Sequence, residues 1–380
     1  MKYKILYLIN DCHPLKYFLK EHIVFLLETG EYEITVLANQ KDCNDFLEFT
    51  GLNIVNINIT RKPDLIKDLA SLFFLIKYLS KHNYNIVHSI TPKSGLLLSV
   101  ASKITNVPHR FHTFTGQVWA NYTGFKRFVF ICIDRLICVL NTRVLADSFS
   151  QRDYLVNQKV VYPDKIFVLG FGSICGVNRL KFKPKFNKQI ALRIEYCIPL
   201  DSFVLLYIGR LNKDKGINDL IKAFELLDDD ELFLLIVGKD EEEILISHAS
   251  NICLKKKSNF LYFEETQFPE KFMSLADVIC LPSYREGFGN VIIEAAAVGT
   301  PSIVSDVYGL QDAIIENVTG VRFRVGDITD LMDKICFYKT SKNNLLEMSL
   351  SCINFVKSNF DSDFLTSCLH DFYQINLKSK

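Results

Sequence analysis

The segment "ADVICLPSYREGFGNVIIEAAAVGTP" (residues 276–301) holds the most informative pattern in the chain. An apolar run that predicts a buried strand leads into a loop with two glycines, and the loop opens into an alanine-rich helix. Glu286 lies in the loop, and Glu294 lies on the helix. Acidic residues also favour helix N-termini for structural reasons. A turn and a solvated helix start therefore stay open as the alternative to a ligand site.

Length and composition predict an ordinary globular protein of two domains. The chain has 380 residues, of which 49% are hydrophobic and 23% charged, and a single core stops growing below this size. Eleven cysteines are scattered without a C-x-x-C pair, which predicts reduced thiols in a cytoplasmic protein. The short N-terminal apolar segment is followed at once by Asn10 and Asp11. It therefore predicts a first strand and not a signal peptide.

The charge is distributed unevenly along the chain. Residues 1–172 have a net charge of +6 and the remainder has −5, within a total of +1. Part of the positive excess falls on two apolar segments, residues 61–82 and 123–144. Charged residues interrupt both, whereas a membrane span needs about 20 apolar residues. Two interpretations remain: core-facing helices with ordinary charged faces, or helices that lie in a membrane interface.

Both halves of the chain alternate β-branched runs with helical patterns, which predicts an α/β fold with parallel sheets. The predicted helices cover residues 17–28, 65–80, 126–139, 217–227, 269–276, 291–298, 328–337, 345–358 and 364–373. The predicted domains are 1–172, a linker at 173–190 without periodicity, 191–355, and a C-terminal helical segment 356–380 that crosses back to the first domain.

Ligands of doubly wound sheets bind beyond the carboxyl ends of the strands, so the crevice between the domains is the expected site. Arg210 and Lys215 follow the first strand of the second half, and Glu286 lies on a later strand-to-helix loop. A helix N-terminus with free N–H groups suits a phosphate. The residues that lead into this helix are Gly287, Phe288, Gly289 and Asn290. Each feature alone is weak, but together they predict a diphosphate site.

These motifs resemble those of a known family. "GRLNKDKG" (209–216) and "EGFGNVIIEAAAVGTP" (286–301) are similar to the donor-nucleotide motifs of the retaining glycosyltransferases of family four. That family has the GT-B fold, two doubly wound Rossmann-like domains that face each other across a cleft. Three more segments resemble members that build bacterial capsule, exopolysaccharide and O-antigen: residues 112–124, 146–155 and 305–320.

The resemblance implies a retaining hexosyl- or N-acetylhexosaminyltransferase (EC 2.4) that takes its sugar from a nucleotide-diphosphate sugar. Arg210 and Lys215 would hold the diphosphate, and the backbone amides of residues 288–290 would hold the phosphate next to the sugar. Glu294 would accept hydrogen bonds from the ribose, and Glu286 would bind the sugar near its reacting carbon. The acceptor would be a glycan or a lipid-linked oligosaccharide, and the enzyme would work in the cytoplasm, with the inner face of the membrane as a second expected location.

From the first domain, the resemblance implies that His112 and Gly116 face the donor sugar, although a core histidine is the alternative for His112. One loop departs from the family, because residues 10–22 contain no glycine where many relatives have a glycine-rich loop. Phe18 and His22 resemble a pattern of some polysaccharide-building relatives, and His22 is equally well explained as a helix-surface residue.

The sequence predicts no metal and no cofactor. Its one Asp-x-Asp match, residues 361–363, is better explained as a helix N-cap, and it has no cysteine or histidine cluster of the zinc type. A nicotinamide dehydrogenase is disfavoured because "GFGSICG" has the wrong spacing for a dinucleotide loop. The remaining alternatives are a GT-B sugar-nucleotide epimerase, a phosphorylase with pyridoxal phosphate on a lysine, and a catalytically silent scaffold paralogue. No nucleic-acid partner is expected.

Overall fold

The chain forms two compact units. Unit 1 comprises Met1–Cys175 and Ser362–Lys380, and unit 2 comprises Gly176–Asp361. The first passage between them therefore falls inside the predicted linker, and residues 176–185 belong to unit 2. The computed structural model describes residues 2–10, 12, 14–39, 51–60, 64–185, 188–245, 258–341 and 344–378.

Unit 1 is built on a parallel sheet of seven strands in the order β3-β2-β1-β4-β5-β6-β7. Its strands are β1 (Tyr3–Leu8), β2 (Tyr32–Ala38), β3 (Leu52–Asn56), β4 (Ile86–Ser89), β5 (His109–Phe114), β6 (Arg143–Ala146) and β7 (Ile166–Val168). Its helices are α1 (Lys20–Glu28), α2 (Leu65–Lys81), α3 (Pro92–Ile104), α4 (Gly124–Leu140), α5 (Phe149–Asn157) and, at the end of the chain, α12 (Ser362–Lys378).

Unit 2 is built on a parallel sheet of six strands in the order β10-β9-β8-β11-β12-β13. Its strands are β8 (Phe203–Ile208), β9 (Leu232–Val237), β10 (Phe260–Phe263), β11 (Val278–Leu281), β12 (Ser302–Ser305) and β13 (Gly320–Phe323). Its helices are α6 (Gln189–Glu195), α7 (Ile217–Leu227), α8 (Pro269–Leu275), α9 (Asn290–Val298), α10 (Ile328–Thr340) and α11 (Leu345–Asn359).

The apolar strands explain why both sheets are covered by helices on their two faces. Successive side chains of a strand point to opposite faces. In β1, Ile5 and Tyr7 join one apolar cluster of unit 1, while Leu6 and Leu8 join another. Every residue of β9 is buried, as expected for a central parallel strand with no solvent-facing side. The predicted α/β architecture of two doubly wound sheets is thus confirmed.

The strand order of unit 2 creates a switch point between the two central strands, β8 and β11. The chain runs outward from β8 through β9 to β10 and then returns to β11 on the other side of β8. From the neighbouring strands β8 and β11, the chain therefore continues to opposite sides of the sheet, to β9 and to β12. Such a switch point leaves a crevice at the carboxyl end of the sheet, where open α/β folds bind their ligands.

In unit 1, buried histidines hold helix α12. His22 is 2% exposed; its Nδ1 lies 2.9 Å from Thr366 Oγ1, and its Nε2 lies 2.6 Å from the carbonyl oxygen of Ile174. His88 Nδ1 lies 2.6 Å from the hydroxyl of Tyr373. The interpretation of His22 as a helix-surface residue is therefore wrong, because this side chain ties α1 to α12.

The thiols differ from the prediction at one position. Eight described cysteines are free, three of them buried, in line with scattered reduced cysteines. Cys12, however, is disulfide-bonded. The expectation that all thiols are reduced is wrong at this residue.

Candidate functional site

The loops after β8 and β11 interlock at the switch point of unit 2. Gly216 has φ +66°, and a Cβ atom there would lie 1.9 Å from the carbonyl oxygen of Pro282. The amide of Tyr284 donates to the carbonyl oxygen of Asp214 over 2.9 Å, and the guanidinium of Arg285 contacts the Asp214 carboxylate at 2.7 Å. The first loop thus needs glycine at 216 so that the second can approach it.

This interlock brings Lys215 against Glu286. Lys215 Nζ lies 2.5 Å from Glu286 Oε1, and Ser283 Oγ donates to the same oxygen over 2.8 Å. Among the described residues, none makes a hydrogen bond to Glu286 Oε2. The side chains of Lys215 and Glu286 are 22% and 13% exposed. Glu286 is therefore a carboxylate held in place on one oxygen, with the other available to a ligand.

Arg210 is held by a second carboxylate. Its Nη1 lies 3.2 Å from Glu241 Oε1 and 2.9 Å from Glu241 Oε2. Asn212 Nδ2 donates to Glu241 Oε2 over 3.0 Å, and Asn212 Oδ1 accepts from the Lys215 amide over 3.1 Å. Within the part of the chain that the structure describes, the Nε and Nη2 groups of Arg210 make no hydrogen bond. They are the groups that a phosphate would use.

Helix α9 begins beside this cluster. Its N-cap, Gly289, has φ +86°, and a Cβ atom there would lie 2.4 Å from Leu310 Cδ2. A Cβ atom on Gly309 would lie 2.6 Å from the carbonyl oxygen of Gly287. Phe288 is buried with its ring centroid 5.2 Å from that of Phe360. The turn of residues 287–290, whose amides are predicted to bind a phosphate, is thus closely packed against residues 309 and 310. The contact of Gly289 with Leu310 and that of Gly309 with Gly287 both require glycine, because a side chain would not fit.

Glu294 lies on α9, one turn beyond the N-terminus, and is half-buried. Burial raises the pKa of its carboxyl to about 7, with Lys181 opposing the rise and Glu270 adding to it. Its carboxyl group makes no hydrogen bond to any of the described residues. It is thus a free acceptor on the same helix as the amides that the sequence predicts to bind a phosphate.

The residues predicted from the first half belong to unit 1. His112 is fully buried on β5 with its Nδ1 2.9 Å from Ser89 Oγ, and burial lowers its pKa to about 3. Its Nε2 has no hydrogen-bond partner among the described residues. Gly116 follows β5 with φ +107°. The burial of His112 agrees with the core alternative, whereas its unpaired Nε2 leaves one atom that a core role does not explain.

Comparison with known proteins identifies the family. Residues 189–353 match the model described as glycosyl transferases group 1, and residues 22–172 match the glycosyl transferase 4-like domain. The chain is 34% identical over 282 residues to the capsular polysaccharide biosynthesis glycosyltransferase CapM of Staphylococcus aureus, covering 73% of both chains. The chain belongs to the glycosyltransferases.

Two more comparisons extend this result. The glycosyltransferase is 26% identical over 365 residues to the UDP-Gal:alpha-D-GlcNAc-diphosphoundecaprenol alpha-1,3-galactosyltransferase of Escherichia coli, covering 92% of this chain and 90% of the other. Its structure matches sucrose-phosphate synthase of Thermosynechococcus elongatus with a TM-score of 0.83 at 19% identity, over the full length of both chains. The predicted GT-B fold and family are confirmed.

Sequence reasoning misses several neighbours of the predicted residues. Glu241 stands in the charge run "KDEEE" (239–243), which resembles a solvated turn. Ser283 and Asn212 lie in predicted loops, and nothing in the sequence distinguishes them from other polar loop residues. Gly309 lies in a segment whose only signal is its family likeness. No pattern links these positions to the site, because their contacts are made between loops that are distant in sequence.

Neither a metal cluster nor a membrane span is found among the described residues. No group of three or more histidine, cysteine, aspartate or glutamate side chains there is placed to hold a metal ion. Asp361 of the Asp-x-Asp match pairs instead with Arg179 at 3.0 Å. In the same ranges, no helix is both long and apolar enough to cross a bilayer.

Proposed function

We propose that this glycosyltransferase moves a sugar from a nucleotide-diphosphate donor to a glycan or lipid-linked oligosaccharide, with retention of configuration, in the assembly of a bacterial surface polysaccharide such as capsule or O-antigen. The observation that supports this best is the contact of Lys215 with Glu286 at the switch point of unit 2. It combines a cation for a phosphate and a carboxylate for a sugar within one cluster.

The cluster can stabilise a departing diphosphate. Cleavage of the sugar–phosphate bond builds negative charge on the phosphate, and fixed cations and amides lower the barrier most when they are already oriented. Arg210 keeps Nε and Nη2 for this task while Glu241 holds its Nη1. The N-terminus of α9 adds its backbone amides and the positive end of its dipole.

Glu286 is better suited to bind the sugar than to attack it. Two donors, Lys215 Nζ and Ser283 Oγ, share its Oε1, so an attack by this oxygen on the sugar would have to break both contacts. A double displacement would place the same carboxylate behind the sugar as a nucleophile. We therefore favour a same-face reaction in which the acceptor attacks as the diphosphate departs and the leaving phosphate takes the acceptor proton.

The donor can be identified before the acceptor. Sugar nucleotides with different bases and sugars are screened for thermal stabilisation of the protein, since a ligand at about 100 times its dissociation constant adds roughly 2.7 kcal/mol. The stabilising donor is then offered to candidate acceptors, and the anomeric configuration of the product is read by NMR. Absence of stabilisation by every nucleotide sugar would contradict the proposed function, and an inverted product would contradict retention.

A lipid-linked acceptor would place the enzyme at the membrane. The similar E. coli enzyme has a diphosphoundecaprenol-linked acceptor in its name. In unit 1, α4 exposes Phe125 and Phe128 to 81% and 58%, next to Lys126 and Arg127. Exposed aromatic side chains beside cations suit an interface with anionic lipid. They support the membrane interpretation of residues 123–144 over that of an ordinary charged face, and a cytoplasmic protein bound peripherally at the inner membrane is our proposal.

We also propose that transfer needs no divalent cation, because hydrogen-bond donors of Arg210, Lys215 and the N-terminus of α9 would contact the diphosphate where other transferases use a metal. Activity should persist in excess chelator. Loss of transfer in chelator, with recovery on addition of magnesium or manganese, would contradict this.

A further inference from the structure

The strongest unassigned feature of the site is Glu241, on the loop after β9. We propose that the Glu241 carboxylate repels the negative charge of a bound diphosphate. This repulsion weakens the binding of the nucleoside diphosphate product more than that of the donor, and so speeds release of the product. This inference rests on the proposed function of unit 2 as the donor site. Its effect is on ligand exchange and not on the bond-breaking step.

The contacts of Glu241 allow it to stay in place when a diphosphate binds. It occupies only Nη1 of Arg210, through both carboxylate oxygens. The other donor edge of the guanidinium remains for the phosphate. A phosphate on that edge would lie about 7 Å from the carboxylate, given ordinary hydrogen-bond lengths on both sides of the planar group. Ligand and carboxylate would then share one guanidinium.

The charges of the cluster and of its ligands explain why Glu241 would repel the product more strongly than the donor. Arg210 and Lys215 are matched by Glu241 and Glu286, so the four side chains together are neutral. A donor sugar nucleotide brings two negative charges. The product brings about three at neutral pH, because its new terminal phosphate loses a second proton with a pKa of about 6. Each additional charge adds to the repulsion by Glu241.

The chain offers a matched pair of variants. Glu241→Gln removes the charge but keeps a side-chain oxygen that can accept from Arg210 and Asn212. Glu242→Gln removes a neighbouring charge that contacts the backbone of this loop, since Glu242 Oε2 accepts from the Lys213 amide at 3.2 Å. Thermal unfolding confirms that both variants are folded.

The experiment is calorimetric titration of the two variants and the parent with a nucleoside and its mono- and diphosphates, using the base found in the donor screen. Glu241→Gln should bind the diphosphate about tenfold more tightly, the monophosphate less so, and the nucleoside unchanged, because Coulomb repulsion scales with ligand charge. The gain should shrink in 1 M salt, where the screening length is about 3 Å. Glu242→Gln should match the parent throughout.

Two failures are distinguishable. If the parent binds no nucleotide, the proposed function is wrong. If the parent binds the diphosphate and Glu241→Gln binds it equally or more weakly, or tightens the nucleoside as much as the diphosphate, this inference is wrong. Glu241 would then serve only to orient Arg210.

Discussion

At the scale of single residues, Glu286 should control the chemical step. Its Oε1 is held by Lys215 and Ser283, so Oε2 can meet the sugar without reorganisation. Glu286→Gln should lower kcat by about 10²-fold or more while nucleoside diphosphate still binds, as expected when one preorganised electrostatic contact is lost. Steady-state transfer kinetics and nucleotide titration measure the two effects. A folded variant with the kcat of the parent would refute this assignment.

Glu294 should act on donor binding and in a pH-dependent way. Burial raises the pKa of its carboxyl to about 7, so the carboxylate that we propose as acceptor of the ribose hydroxyls becomes protonated as the pH falls below that value. The donor KM of the parent should rise about tenfold per pH unit below 7, with kcat less affected. Glu294→Gln should have a raised KM that no longer varies over this range. An equally steep pH dependence in the variant would assign the titration to another group.

How far these residues can be predicted depends on the kind of contact. Lys215 and Glu286 stand in loops with glycines and helix starts, and those local patterns indicate a phosphate site. No local pattern predicts Glu241 as a site residue, because its proposed role follows from a contact with Arg210, 31 positions earlier in the sequence. The surface interpretation of His22 fails for the same reason: its partners, Ile174 and Thr366, come from distant parts of unit 1.

At the scale of secondary-structure elements, α4 should mediate membrane binding. Its aromatic residues Phe125 and Phe128 are exposed, and Lys126 lies over the Tyr122 ring. The double change Phe125→Ser and Phe128→Ser should weaken binding to anionic vesicles by about tenfold or more, since burial of one such side chain contributes on the order of 1.5 to 3 kcal/mol. Vesicle flotation at low and high salt measures the loss.

The aromatic residues make a cleaner test than the basic ones. Arg127 Nη2 donates to Gln158 over 2.7 Å, and Arg135 Nε donates to the carbonyl oxygen of Lys159 over 2.9 Å, so replacing either could disturb unit 1 itself. An exposed aromatic on another element, Phe268→Ser in unit 2, is the matched control. Equal flotation of parent and double variant would contradict the membrane role, as would a parent dimer in light scattering that the double variant abolishes.

Elements are predicted best where their residues repeat with a clear period. Helix α7 (Ile217–Leu227) has the bounds that the sequence predicts, because its apolar side chains recur on one face. Helix α3 (Pro92–Ile104) is absent from the predicted helices, because its buried face includes serines and a glycine among the leucines. Ser99 and Ser102 satisfy their hydroxyls within the helix, at the carbonyl oxygens of Gly95 and Leu98. This burial of small polar residues leaves little amphipathic pattern in the sequence.

At the scale of the whole molecule, the two-sheet architecture follows from the alternation of strands and helices, but the contacts that attach the last helix do not. Helix α12 is part of unit 1, the half to which the sequence predicts its return. The contacts that hold it use His22 and His88, together with the hydroxyls of Tyr7 and Tyr373, 2.7 Å apart. A buried polar network of this kind requires partners from four elements, so no local pattern predicts it.

These buried histidines should each lower the stability of unit 1 in acid. Burial lowers the pKa of His88 and of His112 to about 3, and it lowers that of His22 as well. A group whose pKa is lower in the folded than in the unfolded state binds protons mainly on unfolding. Its contribution is therefore present above the unfolded value of about 6.5 and is lost as the pH falls below it. At pH 4.5, two units below the unfolded value, the loss is roughly 2.7 kcal/mol for each of His88 and His112.

Two buried carboxyls of unit 1 oppose this loss, because burial raises the pKa of Asp134 to about 6 and that of Asp147 above its usual value. The contribution of the histidines is therefore measured by replacing one of them and comparing the variant with the parent between pH 7 and 4.5. Calorimetric unfolding across this range follows the transition of unit 1. Tryptophan fluorescence reports it selectively, since the single tryptophan, Trp119, is buried in unit 1. His22→Gln should reduce the pH dependence of this transition, whereas His82→Gln, at an exposed position, should not. A His22→Gln variant whose Trp119 transition shifts with pH as much as that of the parent would show that this histidine does not govern the acid stability of unit 1.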